Sequence, residues 1–109
     1  NNCVPVFADV DPYSFNIDPE QVKHKISKNT SAILITEMYG QSSDIVPIIK
    51  LAKQHGLYTI SDTAQAIGSK VKDKHTGTHT DIGGFSFNWH VCKSSARTTS
   101  LTDTPDKAT

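Results

Sequence analysis

Apolar residues along this chain alternate between short continuous runs and helix-spaced stripes. Residues 5–10 (PVFADV) make a strand-like run, ended by the turn signal Asp11-Pro12. A helix start follows: Asp18 can cap, Pro19 suits the first helical position, and Gln21 is spaced to close a capping box. Val22 and Ile26, four apart, mark the buried face of that helix, which should fade near residues 27–29. Residues 32–35 (AILI) are continuously apolar, as expected of a strand covered on both faces. After a loop at Tyr39-Gly40-Gln41, Ser43 or Asp44 caps a second helix over residues 44–55. Its Ile45, Ile48, Ile49 and Ala52 have helical spacing, and Gly56 stops it. Residues 57–60 predict the next strand and residues 64–66 a short helical turn. The polar residues 70–80 predict a hairpin or surface loop, and residues 82–87 a last strand.

Strand, helix, strand, helix, strand in this order predicts an α/β fold with a mostly parallel sheet. Ligands of such sheets bind beyond the carboxyl ends of the strands. Tyr39, Asp62 and Ser86 all fall at or just past those ends. Their shared placement says more than any one of them does.

Composition narrows the reading without deciding it. The 109 residues suffice for one domain at most, and 36% of them are apolar. Eleven basic residues balance eleven acidic ones, so charge gives no argument for nucleic acid or a membrane surface. No apolar run approaches the roughly 20 residues that span a bilayer. No secretory leader is visible, and a cytoplasmic protein is expected. Cys3 and Cys92 stand at opposite ends with no metal-type spacing and read as ordinary thiols. His75 and His79 lack the helix and the third ligand of a zinc site. Both ends look cut. Residues 94–109 are half Ser and Thr with one large apolar residue, Leu101, and should be disordered.

Asp62 follows an apolar run within SDTAQAIG, and Ser86 stands between two phenylalanines in GGFSFNWH. An acid at one strand end and a hydroxyl at the next suit a cofactor with a basic ring nitrogen and a phosphate, and pyridoxal phosphate is such a cofactor. Asp62 could pair with the pyridine nitrogen, or simply cap the turn that follows it. Gln65, three residues on, could contact the ring, or be surface. Ser86 could bind the phosphate with support from Asn88, or bond to backbone as strand serines often do. Tyr39, Trp89 and His90 could border a substrate pocket.

Taken together, PVFADVDPYSFNIDPEQV, MYGQSSDIVPIIKLAKQHGLYTISDTAQAIGS and DIGGFSFNWH resemble, in order and spacing, the DegT/DnrJ-type sugar aminotransferases. The resemblance covers about residues 4–90. It implies a partial three-layer sandwich of the large domain of the pyridoxal-phosphate transferase fold. Residues 1–93 would belong to that domain and residues 94–109 to a tail. It implies cofactor contacts at Asp62, Gln65 and Ser86. It also implies a nucleotide-linked keto-sugar as substrate, glutamate as amino donor, and a homodimeric parent.

The resemblance fails at one place. The family's covalent lysine comes five residues after the serine, where this chain has Val91, and Lys93 stands two positions late. An insertion could let Lys93 serve as the catalytic lysine, although two residues move an amine by about 7 Å. The native sequence could be disrupted after His90. Or the chain could belong with the lysine-free sugar 3-dehydratases, which resemble these enzymes but use histidine at that position. Disruption fits best, because everything after His90 loses family character together. An inactive piece of a sugar aminotransferase is therefore expected, with a dehydratase or a non-catalytic ligand-binding fragment as alternatives.

Overall fold

A computed structural model describes residues 2–87. Along the chain run α1 (Pro19–Lys25), β1 (Ala32–Thr36), α2 (Ile45–His55), β2 (Tyr58–Asp62), β3 (Lys70–Val71), β4 (Lys74–His75) and β5 (Ile82–Gly84). Three strands form one parallel sheet in the order β1-β2-β5, and β3 and β4 make a small antiparallel hairpin. This is the α/β architecture with a parallel sheet that the apolar pattern predicts.

The sheet register sets which side chains share a face. Ile33 pairs with Thr59 and Ile35 with Ser61, and all four point into the protein. There they meet α2 through Ile45, Ile48 and Ala52, with Val22 of α1 completing the cluster. Burying each of these isoleucines contributes about 1.5–3 kcal/mol. Gly56 closes α2 at φ 65°, and the Leu57 N–H returns to the Ala52 carbonyl at 2.9 Å. The chain thus leaves the helix directly into β2.

The opposite face carries Leu34, Tyr58, Ile82 and Asp62, all exposed. The described residues therefore comprise a sheet and one helical layer. A parallel sheet with one open apolar face is two layers of a three-layer sandwich.

Several local expectations need correction. Residues 5–10 are not a strand: only Val10 bridges, to Ile17, and Val4, Val6 and Phe7 are exposed. Among the described residues no strand pairs with residues 5–9. Asp18 does cap α1, accepting the Glu20 N–H at 2.9 Å, but Gln21 closes no capping box because the Asp18 N–H donates to the Asp9 carbonyl. Asp44 is the cap residue of α2 and makes no side-chain cap bond. Residues 64–66 form turns rather than a helix, with Ala66 N–H to Thr63 O at 3.0 Å and Ser69 N–H to Ala66 O at 3.1 Å. The last strand stops at Gly84, well short of residue 87. β2 runs Tyr58–Asp62, so Asp62 is its final residue.

Candidate cofactor site

Asp62 and Ser86 reach the same edge of the sheet by backbone pairing. Asp62 lies opposite Thr36 of β1 and Gly84 of β5. The ladder continues past it on both sides: the Glu37 N–H donates to Asp62 O at 2.9 Å, and the Thr63 N–H donates to Gly84 O at 2.8 Å. The carboxyl ends of all three strands are thereby locked in register. Ser86 follows β5 by two residues and is half-buried.

The Asp62 side chain is exposed at the strand end, on the face away from the helices. One carboxylate oxygen accepts the Ala64 N–H at 3.1 Å, so the turn-capping role is present. A single local bond leaves an exposed carboxylate able to take a second, cationic partner. Gln65 is half-buried in the turn closed by the Thr63–Ala66 bond. Asp62, Gln65 and Ser86 thus place an acid, an amide and a hydroxyl at or just past the ends of two neighbouring strands. Asn88, Trp89, His90 and Lys93 lie outside the described residues, as does the tail at residues 94–109.

Tyr39 sits in the loop between β1 and α2, half-exposed at 52%. Its backbone is left-handed at φ 59°, and Phe15, also left-handed at φ 57°, meets it edge-on with ring centroids 6.4 Å apart. Two non-glycine residues in that conformation cost energy and persist only where the surroundings over-determine them. The surroundings here are a part-buried polar network around the buried Asn16. The Asn16 side chain accepts the Met38 N–H at 2.7 Å and donates to Gln41 O at 3.4 Å, while Gln41 Nε2 donates to Ser14 O at 2.9 Å. Asp11 shapes the turn before Asn16 by accepting from Ser14 and Tyr13 at 2.7 and 3.0 Å, which holds its carboxyl below the usual range.

Two carboxylates that residue spacing does not single out anchor the sheet, Glu37 just past the carboxyl end of β1 and Asp81 just before β5 begins. Glu37 is fully buried, and its carboxylate accepts the Ser43 N–H and, at 3.3 Å, the Ser61 hydroxyl. The available signal was its position directly after the buried run of β1. Asp81 accepts from the Thr59 N–H at 2.7 Å and the Thr59 hydroxyl at 2.8 Å. Those two bonds hold its carboxyl below the ordinary carboxylate value. Asp81 thus substitutes for a strand residue just before β5 begins. Among the described residues no group of three potential ligands could hold a metal ion, and His79 instead contacts Lys74 O at 3.1 Å.

Residues 1–91 match the DegT/DnrJ/EryC1/StrS aminotransferase family. The chain belongs to this family. It is 44% identical over 85 residues to GDP-perosamine synthase of Vibrio cholerae, covering 78% of this chain and 23% of that protein. It is 40% identical over 87 residues to dTDP-3-amino-3,6-dideoxy-alpha-D-galactopyranose transaminase of Aneurinibacillus thermoaerophilus, covering 80% and 24%. Among solved structures it is similar to GDP-4-keto-6-deoxy-D-mannose-3-dehydratase of E. coli with bound hydrated pyridoxal phosphate. There the TM-score is 0.69 at 29% identity, over 73% of this chain and 21% of that one. The chain spans about a quarter of the length of the curated relatives it matches. Family membership accounts for the parallel sheet and for pyridoxal phosphate as the family's cofactor.

Proposed function

We propose that this chain is the part of a pyridoxal-phosphate-dependent sugar aminotransferase that holds the cofactor's pyridine and phosphate ends. The parent enzyme would act on a nucleotide-linked keto-sugar with glutamate as amino donor, as a cytoplasmic homodimer. The observation that carries the reading is the pairing of family membership with Asp62 at the end of β2 and Ser86 just past the neighbouring β5. When bound, the cofactor supplies an electron sink for the substrate's bonds. The exposed Asp62 carboxylate would keep the ring nitrogen protonated through an ion pair. Gln65 would orient the ring from the following turn. Ser86, with Asn88, would donate hydrogen bonds to the phosphate, and Tyr39 and His90 would border the sugar. Lys93 is the candidate for the covalent lysine, although Val91 occupies the family's position for it. Amino transfer by this chain alone is therefore not expected.

Pyridoxal phosphate titrated into the chain, followed by absorbance and fluorescence, tests the reading. Asp62→Ala should weaken binding about ten- to a hundredfold, the worth of a hydrogen bond to a charged group, and Ser86→Ala should weaken it by less. Unchanged affinity in both variants would refute it. A lysine-dependent band lost in Lys93→Ala would overturn the expectation of inactivity.

The structural likeness to the E. coli 3-dehydratase, together with the missing lysine at position 91, favours a second reading as a sugar dehydratase. Histidine at the lysine position in the uninterrupted gene would support it, and lysine there would eliminate it.

A further inference from the structure

We propose that Glu37 is a positioning residue, whose buried carboxylate sets the Tyr39-bearing loop against the Asp62 end of β2. The inference rests on the cofactor reading for its functional meaning and on bond geometry for its substance. Glu37 is fully buried, and among the described residues no Lys, Arg or His stands within ion-pair reach of it. Its backbone N–H donates to Asp62 O at 2.9 Å. Its side chain accepts the Ser43 N–H and the hydroxyl of Ser61, the residue before Asp62. The loop that leaves β1 at Glu37 thus closes back onto the Glu37 carboxylate six residues later, with Tyr39 inside the closed ring. The same carboxylate ties that ring to β2.

Stability does not explain such a residue. A buried carboxylate without a cation is costly to desolvate, and an apolar side chain of similar volume often serves a core better. A carboxylate can accept two donors on fixed vectors from two elements, which no apolar residue can do. Ser43 adds a useful detail. Among the described residues its own buried hydroxyl has no hydrogen-bond partner, so only its backbone N–H takes part in the ring.

The test uses the isotopically labelled chain, amide exchange and resonance positions by NMR, and a titration with pyridoxal phosphate. Glu37→Ala should speed exchange at the Ser43 amide by at least about tenfold. It should also move the Tyr39 and Asp62 resonances together and weaken cofactor binding by about threefold or more. Glu37→Gln should restore all three, because its oxygen can accept the Ser43 N–H while its amide donates to a rotated Ser61 hydroxyl. Ser43→Ala, which keeps the N–H, should match the unsubstituted chain. Tyr39 resonances that stay in place in Glu37→Ala would overturn the proposal. If Glu37→Ala does not fold, Ser61→Ala decides it: a displaced Tyr39 loop supports the proposal and an unmoved one refutes it. Absence of cofactor binding in the unsubstituted chain would remove the cofactor reading, while resonance and exchange would still decide the role of Glu37.

Discussion

Two adjacent glycines in β5 should respond very differently to the same added methyl group. A Cβ built on Gly83 falls inside van der Waals contact of the Gly77 carbonyl oxygen, and lies 2.9 Å from the Gly77 carbonyl carbon and 3.3 Å from its Cα. All three atoms are backbone, so no rotamer change relieves them. The loop at residues 76–81 must move, and Gly77 itself is held at φ 85° close to Thr63 and Phe85. Forcing one carbon into a filled site costs about 1–3 kcal/mol, and a backbone clash belongs at the upper end. A Cβ on Gly84 meets only Ser61 O at 3.7 Å, an ordinary contact. There alanine replaces a flexible glycine in a strand, a gain of about 0.5–1 kcal/mol. The two variants should therefore differ by about 2–4 kcal/mol, the sum of those two effects.

Urea unfolding followed by far-ultraviolet circular dichroism reads this difference. With a slope of about 1–2 kcal/mol per molar urea, the midpoints should separate by about 1–4 M, Gly84→Ala lying at or above the unsubstituted chain. Equal midpoints, or Gly83→Ala the more stable of the two, would refute the close packing of β5 against the 76–81 loop. That packing fixes the course of β5, which ends two residues before Ser86.

Other substitutions probe the remaining parts of the fold. Ile35→Ala and Ile48→Ala, both fully buried, should each cost about 2–5 kcal/mol by the same urea measurement, whereas Val46→Ala on the exposed side of α2 should cost well under 1 kcal/mol. The Asp81 carboxyl is depressed by its bonds to Thr59, so its contribution is fully present above the unfolded carboxylate value and is lost as pH falls through the lower folded value. Stability of the chain and of Asp81→Asn should therefore differ near pH 6, keep that gap down to about pH 4 and converge as pH falls further; a gap that stays constant well below about pH 4 would contradict the assignment. Asp11→Ala should release the turn before Asn16 and speed exchange at the Ser14 amide, which now donates to Asp11 at 2.7 Å.

The elements legible in the sequence are those whose signal is local. α2 shows its isoleucine stripe and its glycine stop, and β1 its unbroken apolar run. The order of the strands follows from the helix between them. The run at residues 5–10 shows the limit of that reasoning. It is as apolar as β1, yet a strand exists only where another offers backbone partners, and pairing is not a local property. β5 fails in the opposite direction: its pairing is real but ends after three residues, because close packing at Gly83 and the turn at Thr63 govern it rather than side-chain alternation.

The site divides along the same line. Asp62 and Ser86 were legible because strand ends are where a parallel sheet can expose polar groups without breaking its ladder. Glu37 was not, although it follows directly on the end of β1. At one strand end the carboxylate points to solvent and can meet a ligand; at the next it turns inward and meets Ser43 and Ser61. Alternation along the strand decides which: Asp62 pairs with Thr36 on the open face, so Glu37, one residue later, must face the helices. One register thus places Asp62 on the open face and Glu37 toward the helices. Slipping β1 by a single residue against β2 would turn Glu37 onto the open face, away from Ser43 and Ser61.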